Sequence, residues 1–283
     1  GLYNGVSVVD ITEPTDPTEL GFFDAPESMW RDLKTYSSYL YCVNESSGGL
    51  QIINLEALIA GNSNLSALQN TDLGFTSAHN IYIDENGVLY VFGANFGNGG
   101  AMMFDLTEDP ESPIYLGNYA GSYFHDAMVR GDTLWGGAIY NGEFSVVDVS
   151  DKANPVLIAT QATPSNFTHN SWISDDGATV FTTDEVSGAF VASYDVSDLT
   201  NIRELDRIQA WSTNTDVIPH NTHVDGDFLV TSYYRDGVSV VDASNPSNLI
   251  EVAYYDTSPD FEGGGFNGAW GAYPYLPSGN ILV

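Results

Sequence analysis

Four of the chain's five histidines recur in one short motif, His79-Asn80, His125-Asp126, His169-Asn170 and His220-Asn221, at spacings of 46, 44 and 51 residues. Arg31-Asp32 and Phe266-Asn267 fill the same slot in two further copies, so its second position is Asp or Asn in all six. Imidazole is the commonest side-chain ligand for zinc, copper and iron, and several neutral imidazoles converging on one point make a transition-metal site. A neighbouring Asn or Asp can receive the other ring N–H and fix the tautomer. On this reading His79, His125, His169 and His220 are the metal ligands. Arg31 is placed for an anionic ligand, and Asp32, Asn80, Asp126, Asn170, Asn221 and Asn267 line the same ligand site. A second reading stays open: each His–Asx pair is a hydrogen-bonding unit that joins neighbouring repeats and recurs because the repeat does.

Other chemistry is weaker. His223 shares a strand face with Asn221, opposite His220, and reads as a packed or capping histidine. Ser, His and Asp are plentiful, but no G-x-S-x-G elbow occurs. The acidic turns DENG at 84–87, SDDG at 174–177 and DGD at 225–227 offer oxygen ligands for Ca²⁺, yet none has a twelve-residue EF-hand loop, and hairpin turns account for them. The sequons at Asn44, Asn64 and Asn166 carry no weight alone.

The elements that position the slot are strands. GVSVVDIT, GLQIINLE, AMMFDLTE, FSVVDVSD, VASYDVSD and VSVVDASN each place an Asp or Asn after an apolar run, at Asp10, Asn54, Asp105, Asp148, Asp195 and Asp242. These positions are 44, 51, 43, 47 and 47 residues apart. Each run is short and rich in β-branched residues, and a further strand follows in TELGFF, PIYLGNY, PVLIATQ and NLIEVAYY. Two more precede it, joined by Asn-Gly, Gly-Asp or Asp-Gly turns whose residues tolerate positive φ. Four antiparallel strands per repeat of about 46 residues predict an all-β fold, a β-propeller with six blade equivalents. The slot opens each innermost strand, which directs it toward a central channel. LEALIAG at residues 55–61 is the one helical turn expected.

Residues 1–283 read as a single propeller domain with both termini inside blades, as expected of a piece of a longer protein. A sixth blade would form if the C-terminal strands paired with the N-terminal ones. At this size about 75% of the unfolded surface can be buried, so the core needs no disulfide, and the single Cys42 cannot form one internally. Thirty-eight Asp and Glu against 7 Lys and Arg give a net charge of −31, which repels nucleic acid and anionic headgroups. Such a surface suits a salty or calcium-rich exterior, where counterions screen self-repulsion within about 10 Å. No apolar run of 18 residues is present, so no direct membrane span is expected.

At VSVVDITEPTDPTELG and FSVVDVSDKANPVLIATQ the sequence resembles the LVIVD-repeat propellers. Through MWRDLKTY, AHNIYID, FTHNSWISDDG, TTDEVSGA, IPHNTHV, TSYYRDGVSVVDAS and GFNGAWGAYPYLPSGNI it is similar, over essentially the whole chain, to the choice-of-anchor B family of secreted bacterial proteins. The resemblance implies an extracellular or cell-surface protein, of a kind found largely in the Bacteroidetes, whose anchor lies outside the propeller. It also implies seven blades in the intact protein. It brings no established activity, and no catalytic residue is carried over. Two functions are therefore expected. One is a binding or surface-assembly module with a His/Asx-lined channel, whose partner is a surface protein, a glycan or a small ligand. The other is a metal-dependent hydrolase or oxidase that uses the channel histidines.

Overall fold

The structure is a computed structural model that describes residues 1–62, 65–210, 215–261 and 263–283. An N-terminal pair, β1 (Gly5–Asp10) and β2 (Thr18–Asp24), forms a two-stranded sheet. The first four-stranded sheet runs β3 (Arg31–Tyr36), β4 (Tyr39–Asn44), β5 (Leu50–Asn54), β6 (Leu68–Asn70). The second runs β7 (Asn80–Ile83), β8 (Val88–Phe92), β9 (Ala101–Asp105), β10 (Ile114–Tyr119). The third is β11 (Ala127–Arg130), β12 (Thr133–Ala138), β13 (Glu143–Asp148), β14 (Val156–Ala162). The fourth is β15 (Thr168–Ile173), β16 (Thr179–Asp184), β17 (Val191–Asp195), β18 (Arg203–Ile208), and the fifth β19 (Thr222–Asp225), β20 (Phe228–Ser232), β21 (Val238–Asp242), β22 (Ile250–Tyr255). These are five complete blades of a β-propeller and part of a sixth.

β1 and the third strand of each four-stranded sheet end on the Asx residue that marks the repeat, and the side chain of that residue explains why. Asp10 Oδ1 accepts the N–H of Thr12 at 2.8 Å, Asp105 Oδ1 that of Thr107 at 2.7 Å, Asp195 Oδ1 that of Ser197 at 3.1 Å and Asp242 Oδ1 that of Ser244 at 2.9 Å. Such Asx turns pull the backbone out of the ladder. At Asn54 the same bond, to Ala57 N at 2.9 Å, caps the helix α1 (Leu55–Ile59) within the expected helical turn. The hydroxyl and then the amide of Ser197, followed by the Arg203 guanidinium, hold Asp195 at about 2.

Two compact units divide the chain, Gly1–Thr133 with Val149–Val156 and Leu134–Asp148 with Leu157–Val283. In the first, Tyr41, Val43 and Ile52 pack with Ile81, Leu89, Val91 and Phe104, so β4 and β5 bury their side chains against β7, β8 and β9. In the second, Phe181 and Val191 of β16 and β17 pack with Val224, Leu229 and Val241 of β19 to β21. Middle strands are buried throughout, as in β16, whereas last strands such as β22 are mostly exposed. The slot lies at or just before the start of each blade's first strand, next to these buried middle strands.

The C-terminal segment differs from expectation. Among the described residues it forms isolated bridges, Tyr234 with Ala269 and Tyr273 with Leu282, and no strand pair. Glycines 263, 265 and 268 at positive φ, with Pro274 and Pro277, interrupt any ladder there. Among the described residues, no helix is long and apolar enough to cross a membrane.

Candidate metal centres

The two halves of the His–Asx slot have different partners. The Asx side chain latches blade to blade. Asp32 Oδ2 accepts both the side-chain N–H of Asn80 and the backbone N–H of Ile81, each at 2.9 Å. Asn80 Oδ1 accepts Ala127 N at 3.4 Å, and Asn170 Oδ1 accepts Thr222 N at 3.2 Å. Each acceptor thus takes the N–H one residue past the slot of the following blade, a hydrogen bond between repeats made by the Asx side chain. Asn221 uses its backbone N–H on Ser232 Oγ at 3.2 Å, and Asn267 Oδ1 accepts from Arg235 Nη2 at 3.1 Å. Arg31 is buried with its guanidinium turned to backbone carbonyls, Nε to Leu2 O at 2.7 Å and Nη2 to Tyr3 O and Pro26 O.

The histidine half gathers donors. In the first unit His79 is buried beside Gly93, where a Cβ would lie 2.7 Å from the His79 Cβ. Its Nδ1 meets Glu45 Oε1 at 2.7 Å, and its Nε2 lies 3.7 Å from Asp126 Oδ1. The rings of His79 and His125 are 3.7 Å apart, and one donor atom from each of His79, His125 and Asp126 lies within 4.8 Å of the others. Burial works against the imidazolium of His79, but the hydrogen bond to Glu45 and the charges of Asp126, Glu45 and Asp32 outweigh it and raise the pKa.

In the second unit the donors are His169, Glu185 and His220, again within 4.8 Å of one another. Glu185 Oε2 is 3.7 Å from His169 Nε2, and Oε1 is 3.7 Å from His220 Nε2. His220 Nδ1 bonds to the carbonyl of Trp270, so its lone pair sits on Nε2, facing the carboxylate. Gly137 makes room here, because a Cβ at that position would collide with the His169 carbonyl. The loop before His169 is folded around the buried Asp184, which accepts Thr163 Oγ1 at 2.5 Å, Ser165 N at 2.7 Å and Phe167 N at 3.2 Å. Burial raises its pKa in spite of these bonds.

Both sets offer two imidazoles and one carboxylate. Donors each about 2.0–2.1 Å from one ion can stand up to about 4 Å apart, so separations of 3.7 Å suit a shared cation. In each set one ring nitrogen is tied to an acceptor outside the set, which fixes the tautomer as outer-shell partners of metal ligands do. Sequence reading missed Glu45, Glu185 and Trp270.

The remaining candidates are accounted for otherwise. His223 packs on Trp172 at 4.6 Å and edge-on to Tyr275. In the acidic turns Asp84 accepts Asn86 N, Val88 N and the Tyr90 hydroxyl, and Asp176 accepts the Ser174 hydroxyl and Ala178 N, as hairpin turns require. Burial pushes the Cys42 thiol up to about 11, far from the range of a reactive thiolate. Among the sequons, Asn44 is buried and Asn64 lies outside the described residues.

The LVIVD repeat model matches residues 2–25, 138–163 and 221–257, segments that contain the β1–β2, β13–β14 and β19–β22 strands. A periplasmic gluconolactonase from Pseudomonas aeruginosa, PpgL, superposes with a TM-score of 0.68 at 14% identity, covering 91% of this chain and 80% of that one. A protein from Lactobacillus plantarum gives 0.67 at 16% identity over 89% and 77%. A chain of the nidogen/laminin complex gives 0.58 at 8% identity over 88% and 91%. No curated protein matches. At these identities the likeness is one of fold, and with the repeat matches it makes the chain a β-propeller carrying LVIVD repeats.

Proposed function

We propose that the protein is a transition-metal-binding propeller, with His79 and His125 in the first unit and His169 and His220 in the second as imidazole ligands to zinc, copper or iron. The observation that carries this reading is the shared wiring: Nδ1 of His79 on Glu45 and Nδ1 of His220 on Trp270 O, each leaving Nε2 toward a second imidazole and a carboxylate. The acidic surface and the resemblance to choice-of-anchor B proteins support an exported, surface-attached binding or assembly module whose partner is a surface protein, glycan or small ligand. Elemental analysis of dialysed protein tests the reading. Near-stoichiometric metal that falls in His79→Ala and in His220→Ala is expected; wild-type protein that takes up none after reloading overturns it.

A second reading, a metal-dependent hydrolase or oxidase, is favoured by the donor count. Two imidazoles and one carboxylate leave coordination positions for water or substrate, which a bound cation would activate or polarise. Turnover of small esters or lactones that a chelator abolishes, and that zinc restores, would support it; metal-loaded protein inert toward such panels argues for the binding module.

A further inference from the structure

Four described non-glycine residues have positive φ: Ser37, Asn98, Asn166 and Tyr234. Three are small or readily left-handed; Tyr234, at φ 47° and 1% exposed, is neither. A bulky residue persists in that region only where its surroundings over-determine it, and such strain gathers at functional sites. The surroundings here are specific. Tyr234 N donates to Ala269 O at 2.9 Å, Ala269 N returns a bond to Tyr234 O at 2.8 Å, and a Cβ at Gly268 would collide with that same carbonyl. The conformation delivers the phenol to the second unit's donor set: its hydroxyl donates to Glu185 Oε1 at 2.5 Å, and its ring lies 4.8 Å from that of His220.

We infer that Tyr234 is the positioning residue of this metal set, its phenol holding Glu185 Oε1 so that the carboxylate binds the ion through Oε2 alone and keeps a coordination position open. The inference rests on the metal reading above. With Oε1 holding the phenol proton, Oε2, 3.7 Å from His169 Nε2, is the oxygen that binds the cation; Oε1, 3.7 Å from His220 Nε2, then orients the carboxylate between the two rings and is not itself a ligand. The ring also packs edge-on to Phe266 at 5.2 Å, so a purely structural role is the rival.

Tyr234→Phe separates the two, because it keeps the ring and removes the hydroxyl. Zn²⁺ affinity, read by competition with a chromophoric chelator, is expected to fall about 10–100-fold, the usual cost of losing an outer-shell partner. The visible spectrum of the Co²⁺-loaded protein is expected to change in band position and intensity, while metal-free melting stays close to wild type. Unchanged affinity with an unchanged Co²⁺ spectrum overturns the inference and leaves the metal reading standing; wild-type protein that binds neither ion overturns both. Should Tyr234→Phe fail to fold, the carboxylate stretches in the infrared difference spectrum of His79→Ala protein with and without Zn²⁺ carry the test: the wide splitting of a carboxylate bound through one oxygen upholds the inference, and the narrow splitting of one bound through both overturns it.

Discussion

The two donor sets are built from the same parts in different arrangements. In the first unit the carboxylate facing Nε2 comes from the slot itself, Asp126, and a partly exposed Glu45 holds the far side of His79. In the second unit the carboxylate comes from Glu185, Trp270 supplies a backbone carbonyl to the far side of His220, and a buried phenol braces the carboxylate. A charged outer partner makes an imidazole a stronger base toward a metal and toward a proton alike; a carbonyl orients the ring with no net charge. The first set should therefore load in a pH-dependent way that Glu45 governs, whereas the second depends more on geometry.

The largest effects should come from the ligands. His79→Ala and His220→Ala each remove an imidazole from one set, and measured separately they report which set retains metal; each should cost more than the about 10–100-fold that outer-shell losses cost. Next comes Glu45→Gln, with a loss of that order and a pH signature. Because His79's pKa is raised in the folded protein, its stabilisation is full below the unfolded value near 6.5 and is lost as pH rises through the folded value. Metal-free wild type should thus melt above Glu45→Gln at the acid end of a pH 5.5–9 series, and the gap should narrow toward pH 9; a constant gap breaks the comparison.

The Asx half should behave differently. Asn170→Ala leaves the fully buried Thr222 N–H without its side-chain acceptor, a cost of about 1–3 kcal/mol and a few degrees of melting temperature. The metal content at saturation should stay at the wild-type level, and its loss would mean that latch and ligand are one device. Smallest is Asp195→Asn at an exposed turn. Asp195 is held low, so its contribution is present above the unfolded value near 3.9 and is lost as pH falls toward 2. The variant's melting temperature should fall less than wild type's over that acid range.

Much of this fold was legible because one residue type both marks and makes each strand end. Asp10, Asn54, Asp105, Asp148, Asp195 and Asp242 stand at regular intervals in the sequence and terminate strands in the structure. The C-terminal strands were not legible as bridges, since glycines and prolines outweigh a repeat pattern only once the backbone path is known. The histidines were found through their spacing. Their carboxylates had a signal too: Asn44-Glu45-Ser46-Ser47-Gly48 and Asp184-Glu185-Val186-Ser187-Gly188 leave the second strand of their blades at the same point, β4 and β16 ending on Asn44 and Asp184. Trp270 had none, because its part is played by a carbonyl that any residue possesses.

X-ray absorption at the zinc edge of reloaded, dialysed protein addresses the metal reading most directly. Imidazole ligation predicts a nitrogen and oxygen shell at about 2.0–2.1 Å with the outer scattering of imidazole, weakened in both His79→Ala and His220→Ala. Protein that retains no zinc, or zinc in an all-oxygen shell without imidazole scattering, would contradict it.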